Sequence, residues 1–209
     1  MQFNKDELII YTVLIGSNEG LNNQPFIKHS KYRHVCLTDN KNLKSKEWEI
    51  IIVDPIFPKD SNRSQRYYKL KPQNIFQNYN FSLYLDNNIL LKVKTEDLVE
   101  GILKNIKIEG NEPLFFIPYH SYRENLISEF EVCSRYDLDN QFKLYEQLDH
   151  YIRTNKEILK ERAYWGGIIL RNHNNKRIMS HSEIWFYHLC RYSRRDQLSL
   201  LYASYQAGI

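Results

Sequence analysis

The sequence predicts an α/β fold: a single domain over residues 1–209 with a central, mostly parallel sheet flanked by helices. Two observations predict it. In the first half, short apolar runs of strand length alternate with segments of helical periodicity. Those runs end at Gly16, Asp39, Asp54 and Asp86, and a sheet built this way binds ligands at the carboxyl ends of its strands. No repeat, low-complexity tract or Pro/Gly linker divides the chain.

The elements follow in order. Leu8 to Ile15 reads as a buried strand closed by Gly16, and a loop covers 17–25. His34 to Thr38 and Trp48 to Val53 are the next two strands. A helix is expected from Ser61, as its N-cap, to Asn78, broken or kinked at Pro72. Phe81 to Leu85 is the fourth strand, and Thr95, as N-cap, opens a helix to Asn105. Leu114 to Pro118 is another strand. The second half is more helical: Leu138 to Lys160 as one helix or two, a strand from Trp165 to Arg171, then helices over Ser182 to Arg191 and Arg195 to Gln206.

Composition narrows the function classes. With 42% hydrophobic and 26% charged residues, the chain is globular and long enough to bury a core. Sixteen Tyr and ten Phe against seven Gly supply rings for half-buried positions. A net charge of +4 suits anions such as nucleotide diphosphates and is too small and too evenly spread to predict nucleic-acid binding. Three widely spaced cysteines without a CxxC pair suit a reduced, cytoplasmic protein. The N-terminus reads as no signal peptide, and no apolar run approaches the roughly 20 residues of a membrane span, which leaves peripheral membrane association open.

Several constellations carry chemistry. Asp86 and Asn88 share a face if the backbone stays extended, and two oxygen ligands there suit a hard divalent cation, Mn or Mg, beside a diphosphate. A turn built from Asp and Asn is the alternative. Arg63, Arg66 and Lys69 recur every third residue, a spacing that aligns them on a helix as phosphate ligands or as a solvated basic face. His120, Arg123 and Glu124 follow a strand, with Glu129 and Glu131 beyond; His120 reads as a ligand, a base or a hydrogen-bonded packing residue, and with no second His at ligand spacing a structural use is favoured over zinc. Arg171 and His173 share a face after the Gly166-Gly167 pair, with His173 a candidate metal ligand. Asp196 and Glu183 are candidate acceptor-activating bases or sugar ligands, or capping charges, within a polar group that includes Arg195 and Gln197.

Taken together and in order, eight segments resemble one family. They are Tyr11 to Gly16 (YTVLIG), Val35 to Asp39 (VCLTD), Trp48 to Ile50 (WEI), Arg63 to Pro72 (RSQRYYKLKP), Tyr84 to Asn88 (YLDNN), His120 to Arg123 (HSYR), Trp165 to His173 (WGGIILRNH) and Arg195 to Ser199 (RDQLS). The set resembles the glycosyltransferase-like domain family named for plant turgor-regulation and seed-mucilage proteins. The resemblance implies a GT-A-like fold and an enzyme that moves a sugar from a nucleotide-sugar donor to a glycan or other acceptor, in surface polysaccharide or glycoconjugate synthesis. It implies that Gly16 and Asp39 face the base or ribose, that Arg63, Arg66 and Lys69 line the diphosphate, and that Asp86 and Asn88 stand at the metal or donor sugar. Arg195, Asp196 and Gln197 would close over the sugar. A non-catalytic nucleotide- or sugar-binding module is the alternative.

Overall fold

The computed structural model describes residues 3–16, 19–106 and 113–209. Part of the predicted 17–25 loop therefore lies outside the described residues. The chain divides into two compact units. The first joins Met1–Phe116 to Gly167–Asn175, and the second joins Ile117–Gly166 to Lys176–Ile209.

Unit 1 is the α/β part. Its strands are β1 (Leu8–Leu14), β2 (Arg33–Thr38), β3 (Glu49–Ile52), β4 (Phe81–Leu85), β5 (Phe115–Phe116) and β6 (Ile168–Arg171). They form a six-stranded sheet in the order β3-β2-β1-β4-β6-β5. β3, β2, β1 and β4 run parallel, while β6 is antiparallel to both β4 and β5. Every residue of β1 is buried, as its mostly apolar run suits a parallel strand covered on both faces.

Side-chain alternation gives each face its helix. Tyr11, Tyr84 and Arg171 share one face with α1 (Ser61–Leu70), since the Tyr11 hydroxyl donates to the Lys69 carbonyl at 2.6 Å. Leu8, Ile10, Leu83 and Leu170 pack on the other face against Val99 and Ile102 of α2 (Thr95–Asn105). Burying one such side chain contributes about 1.5–3 kcal/mol.

Unit 2 is helical: α3 (Leu126–Arg135), α4 (Gln141–Asn155), α5 (Lys176–Arg191) and α6 (Asp196–Ala207). Its core joins Leu126, Phe130, Leu144, Tyr151 and Leu198. Among the described residues, no helix is long and apolar enough to cross a membrane.

The structure corrects several expected boundaries. Asp60 caps α1, accepting the Arg63 amide at 3.0 Å, because its carboxylate reaches that donor. The helix stops at Leu70, and Pro72 opens a separate 3-10 turn. Lys94 precedes α2, and Thr95 turns its hydroxyl to His34 Nε2 at 3.1 Å instead of capping. α3 was not expected, yet Asn125 and Ser128 form its capping box. α5 starts at Lys176, six positions before the expected Ser182, so Glu183 stands in mid-helix and is exposed.

Candidate functional site

The strand order reverses around β1, with β2 on one side and β4 on the other. In an open α/β sheet, the crevice beyond the carboxyl ends at such a point is the place for a ligand. Gly16 and Asp86 follow those two ends, two positions past Leu14 and directly after Leu85.

Gly16 has φ +62, a left-handed conformation that glycine adopts without strain. A Cβ there would meet Ser61 Cβ at 2.4 Å, so glycine also lets the start of α1 approach the end of β1. The Gly16 amide donates to both Asp39 oxygens, at 3.0 and 3.1 Å. Asp39 thus ties the end of β2 to the end of β1.

Asp86 stands a quarter exposed above a buried support. The Tyr84 hydroxyl donates to its Oδ1 at 2.5 Å. The Lys69 ammonium lies 3.6 Å from the same oxygen, with a side chain only 2% exposed. It also sits 4.9 Å over the Tyr84 ring. Burial, reinforced by the Asp86 charge, raises the Tyr84 phenol well above its ordinary range, and the nearby Arg66 charge opposes this. Tyr84 is therefore a hydrogen-bond donor at neutral pH. Beneath it, the buried Arg171 Nη2 donates to the Tyr11 hydroxyl at 2.8 Å and to the Lys69 carbonyl. That contact places a cation at the C-terminus of α1, where the helix dipole favours one. It fixes the backbone from which Lys69 reaches Asp86.

The predicted row of cations is divided. Arg63 pairs with Asp60 at 2.5 Å, Lys69 turns inward to Asp86, and Arg66 between them acts on Tyr84. The predicted metal set is not assembled either. Asp86 to Ile89 closes a turn, with the Ile89 amide donating to the Asp86 carbonyl at 3.0 Å, so extended alternation ends and Asn88 is exposed. Asn87 serves the turn's neighbour instead: its Oδ1 accepts the Asn22 amide at 2.9 Å. His173 is fully buried, with Nε2 3.2 Å from the Phe76 carbonyl. The antiparallel register pairs Ser82 with Arg171, which puts His173 beyond the opposite end of β4, about 20 Å from Asp86 along the strand direction. Burial, then the Arg171 charge, depresses His173 to about 4. Among the described residues, no three His, Cys, Asp or Glu side chains are grouped to hold a metal ion.

Unit 2 gathers the remaining predicted residues. Glu129, in the first turn of α3, is buried and accepts from Arg123 Nε at 2.9 Å. Arg195 Nη2 lies 3.7 Å from its other oxygen and 3.4 Å from Gln197 Oε1. Gln197 donates to the Tyr164 carbonyl at 3.4 Å. His120 adjoins this group: burial chiefly lowers its pKa, Glu129 opposes that, and Arg123 and Arg195 reinforce it. The Tyr122 amide donates to His120 Nδ1 at 3.0 Å, so the neutral ring carries its proton on Nε2. Asp196 is the buried first residue of α6, and its carbonyl accepts the Trp185 indole at 2.7 Å.

Sequence reasoning gave Asp86, Lys69 and Arg195 site roles, grouped Arg123 and Glu129 with His120 without assigning them a role, and passed over Tyr84. Signals existed. Tyr84 lies two positions before Asp86, and Glu129 falls among Leu126, Phe130 and Cys133, the buried face of a helix.

The chain is similar to known proteins in family and in fold. The family model described as TOD1/MUCI70, glycosyltransferase-like domain, matches residues 26–208 and so spans parts of both units. No curated protein sequence matches the chain. Among solved structures, the apo form of the bifunctional glycosyltransferase WbbM is similar at a TM-score of 0.55 with 12% identity, over 96% of this chain and 39% of that one. Apo mouse xyloside xylosyltransferase 1 is similar at 0.45 with 11% identity, over 97% of this chain and 77% of that one. The chain thus spans well under half of the WbbM chain, and the likeness is one of fold.

Proposed function

The chain belongs to the TOD1/MUCI70 glycosyltransferase-like domain family, and from that premise we propose that it transfers a sugar from a nucleotide-sugar donor to a glycan or other acceptor in surface polysaccharide or glycoconjugate synthesis. One observation carries the reading: a partly exposed acid, Asp86, stands at the end of β4 on a buried Tyr84–Lys69 support, with the Arg66 charge close by. The donor diphosphate would enter beyond the carboxyl ends of β1 and β4. Lys69 and Arg66 supply fixed positive charge where the leaving diphosphate gains negative charge, and Asp86 orients the donor sugar. Because Tyr84 and Lys69 hold the carboxylate before the donor arrives, little reorganisation is needed in the transition state.

A protein-built metal cage does not fit, since Asp86 is the one predicted ligand properly placed. Asp86 would be the residue to hold a divalent cation, Mn or Mg, and the ion would supply positive charge against the negative charge gained by the leaving diphosphate. The three candidate bases all belong to unit 2: Glu183 is exposed in mid-helix, His120 has its Nδ1 lone pair engaged, and Asp196 is buried at the start of α6. The test is turnover: a panel of nucleotide sugars with Mg or Mn, read as nucleoside diphosphate released by the wild type and by Asp86→Ala. Release by the wild type and none by a folded variant supports transfer. Nucleotide-sugar binding without release, with acceptors present, would move the chain to a binding-module role.

A further inference from the structure

Glu129 is a buried acid of unit 2 that meets two arginines. Its side chain is 2% exposed, on the face of α3 shared with Leu126, Phe130 and Cys133. A carboxylate there needs cations to offset its desolvation. Arg123 Nε reaches Oε2 at 2.9 Å, and Arg195 Nη2 lies 3.7 Å from Oε1. Cys133 Sγ approaches Oε1 at 3.5 Å.

Three features go beyond a structural ion pair. Two guanidiniums face one carboxylate, and these are the three charges that act on His120, so cations outnumber the anion at that imidazole. The burial is unequal: the acid is 2% exposed, but Arg123 is 22% and Arg195 35% exposed, so the cations are the presented groups. Donor capacity is also left over: each guanidinium offers five N–H donors in a fixed fork, and besides Glu129 the two meet the Tyr122 carbonyl, from Arg123 Nη1 at 3.2 Å, and Gln197 Oε1, from Arg195 Nη2 at 3.4 Å. The neutral His120 adds an Nε2–H donor beside them.

We propose that Arg123 and Arg195, held in place by Glu129, form a binding site for an oxyanion, a phosphate or a carboxylate, carried by the donor or by an acidic acceptor. Glu129 is its positioning residue, and paired guanidinium donors match either anion. The site stands on its own geometry; only the identity of the ligand rests on the transfer reading.

Calorimetric titration of the full chain with three probes tests it: inorganic pyrophosphate, a nucleoside diphosphate and glucuronate. Arg123→Lys keeps a cation beside Glu129 but removes the fork. The double variant Arg123→Gln with Glu129→Gln removes both charges and leaves no buried unpaired acid. Arg66→Ala serves as the control in unit 1. The expected result is binding at least about tenfold weaker in both unit 2 variants, the loss of roughly one charge-assisted hydrogen bond, with thermal unfolding unchanged in Arg123→Lys. Weakening confined to pyrophosphate and the nucleotide identifies the donor as the source, and weakening confined to glucuronate identifies an acidic acceptor. Unchanged affinities in both variants, or no binding of any probe to the wild type, would overturn the site. Weakened nucleotide binding in Arg66→Ala alone would uphold the donor site of unit 1 and count against this one.

Discussion

Each unit holds a carboxylate beside cations, and the two clusters are built with opposite polarity. In unit 1, Asp86 is a quarter exposed, and its cationic partner, Lys69, is buried at 2%. In unit 2, Glu129 is buried at 2%, and its cationic partners, Arg123 and Arg195, reach solvent. On the reading proposed above, the buried member of each cluster is the support and the exposed member is the group offered to a ligand. Burial of one partner therefore says what the other is for. An acid held up by a buried ammonium can address a sugar or a cation, whereas guanidiniums held up by a buried acid can address an anion.

The largest effect should separate function from folding. Asp86→Asn keeps the shape of the presented group and removes its charge, so transfer should fall about 100–1000-fold, the scale of losing one preorganised electrostatic contact. The urea midpoint should stay close to that of the wild type. A variant that transfers normally would make Asp86 a turn residue and end the contrast.

Glu129→Ala should do the reverse. It removes the buried support and leaves two guanidiniums without their partner, which should cost about 3 kcal/mol, the low end for a broken buried pair because the arginines are partly solvated. Urea unfolding measures it. A loss no greater than that of an exposed salt bridge, about 1 kcal/mol or less, would remove the supporting role.

Acid should weaken the units unequally. Burial depresses His34, His173 and His188 to about 4, and the first two belong to unit 1. Below the unfolded value near 6.5, the unfolded chain binds protons that the folded one refuses. The stabilising effect of each neutral imidazole is therefore complete above that pH and is lost as pH falls toward 4. Each contributes on the order of 2 kcal/mol. Amide hydrogen exchange between pH 6.5 and 4 should show protection falling faster in β1, β2 and β4 than in α5 and α6. Equal loss in both would show that the histidines do not distinguish the units.

The smallest effect concerns the edge that carries Asp39. Gly16→Ala forces a side chain into a left-handed conformation and against Ser61, which should cost about 1–2 kcal/mol and weaken nucleotide binding modestly. Thermal unfolding with and without nucleotide reads both. An unchanged melting temperature would mean that α1 shifts freely away from the strand end.

Much of unit 1 was legible from the chain. Leu8–Leu14, Arg33–Thr38 and Phe81–Leu85 lie within a residue of their expected bounds, because short, mostly apolar runs closed by Gly or Asp suit strands buried inside a covered sheet. α3 is hard to read from the chain because its capping signal is Asn125 with Ser128, short of the usual acid at the third position. Asp86 and Lys69 were both singled out, but their pairing was not. Seventeen positions separate them, and only the return of β4 beside β1, under α1, brings the ammonium to the acid.

What the sequence determined alone was local: where apolar periodicity makes strands and helices, and which charged residues follow strand ends. Those features depend on neighbours a few positions away, where backbone geometry dictates contact. The tertiary structure decided which charges are supports and which are offered. It buried Lys69 and Glu129, turned Asn88 outward and carried His173 beyond the far end of β4. The reason is physical. A charge has a fixed identity in the chain, but its role depends on desolvation and on the partners that offset it, and only the packed fold sets these.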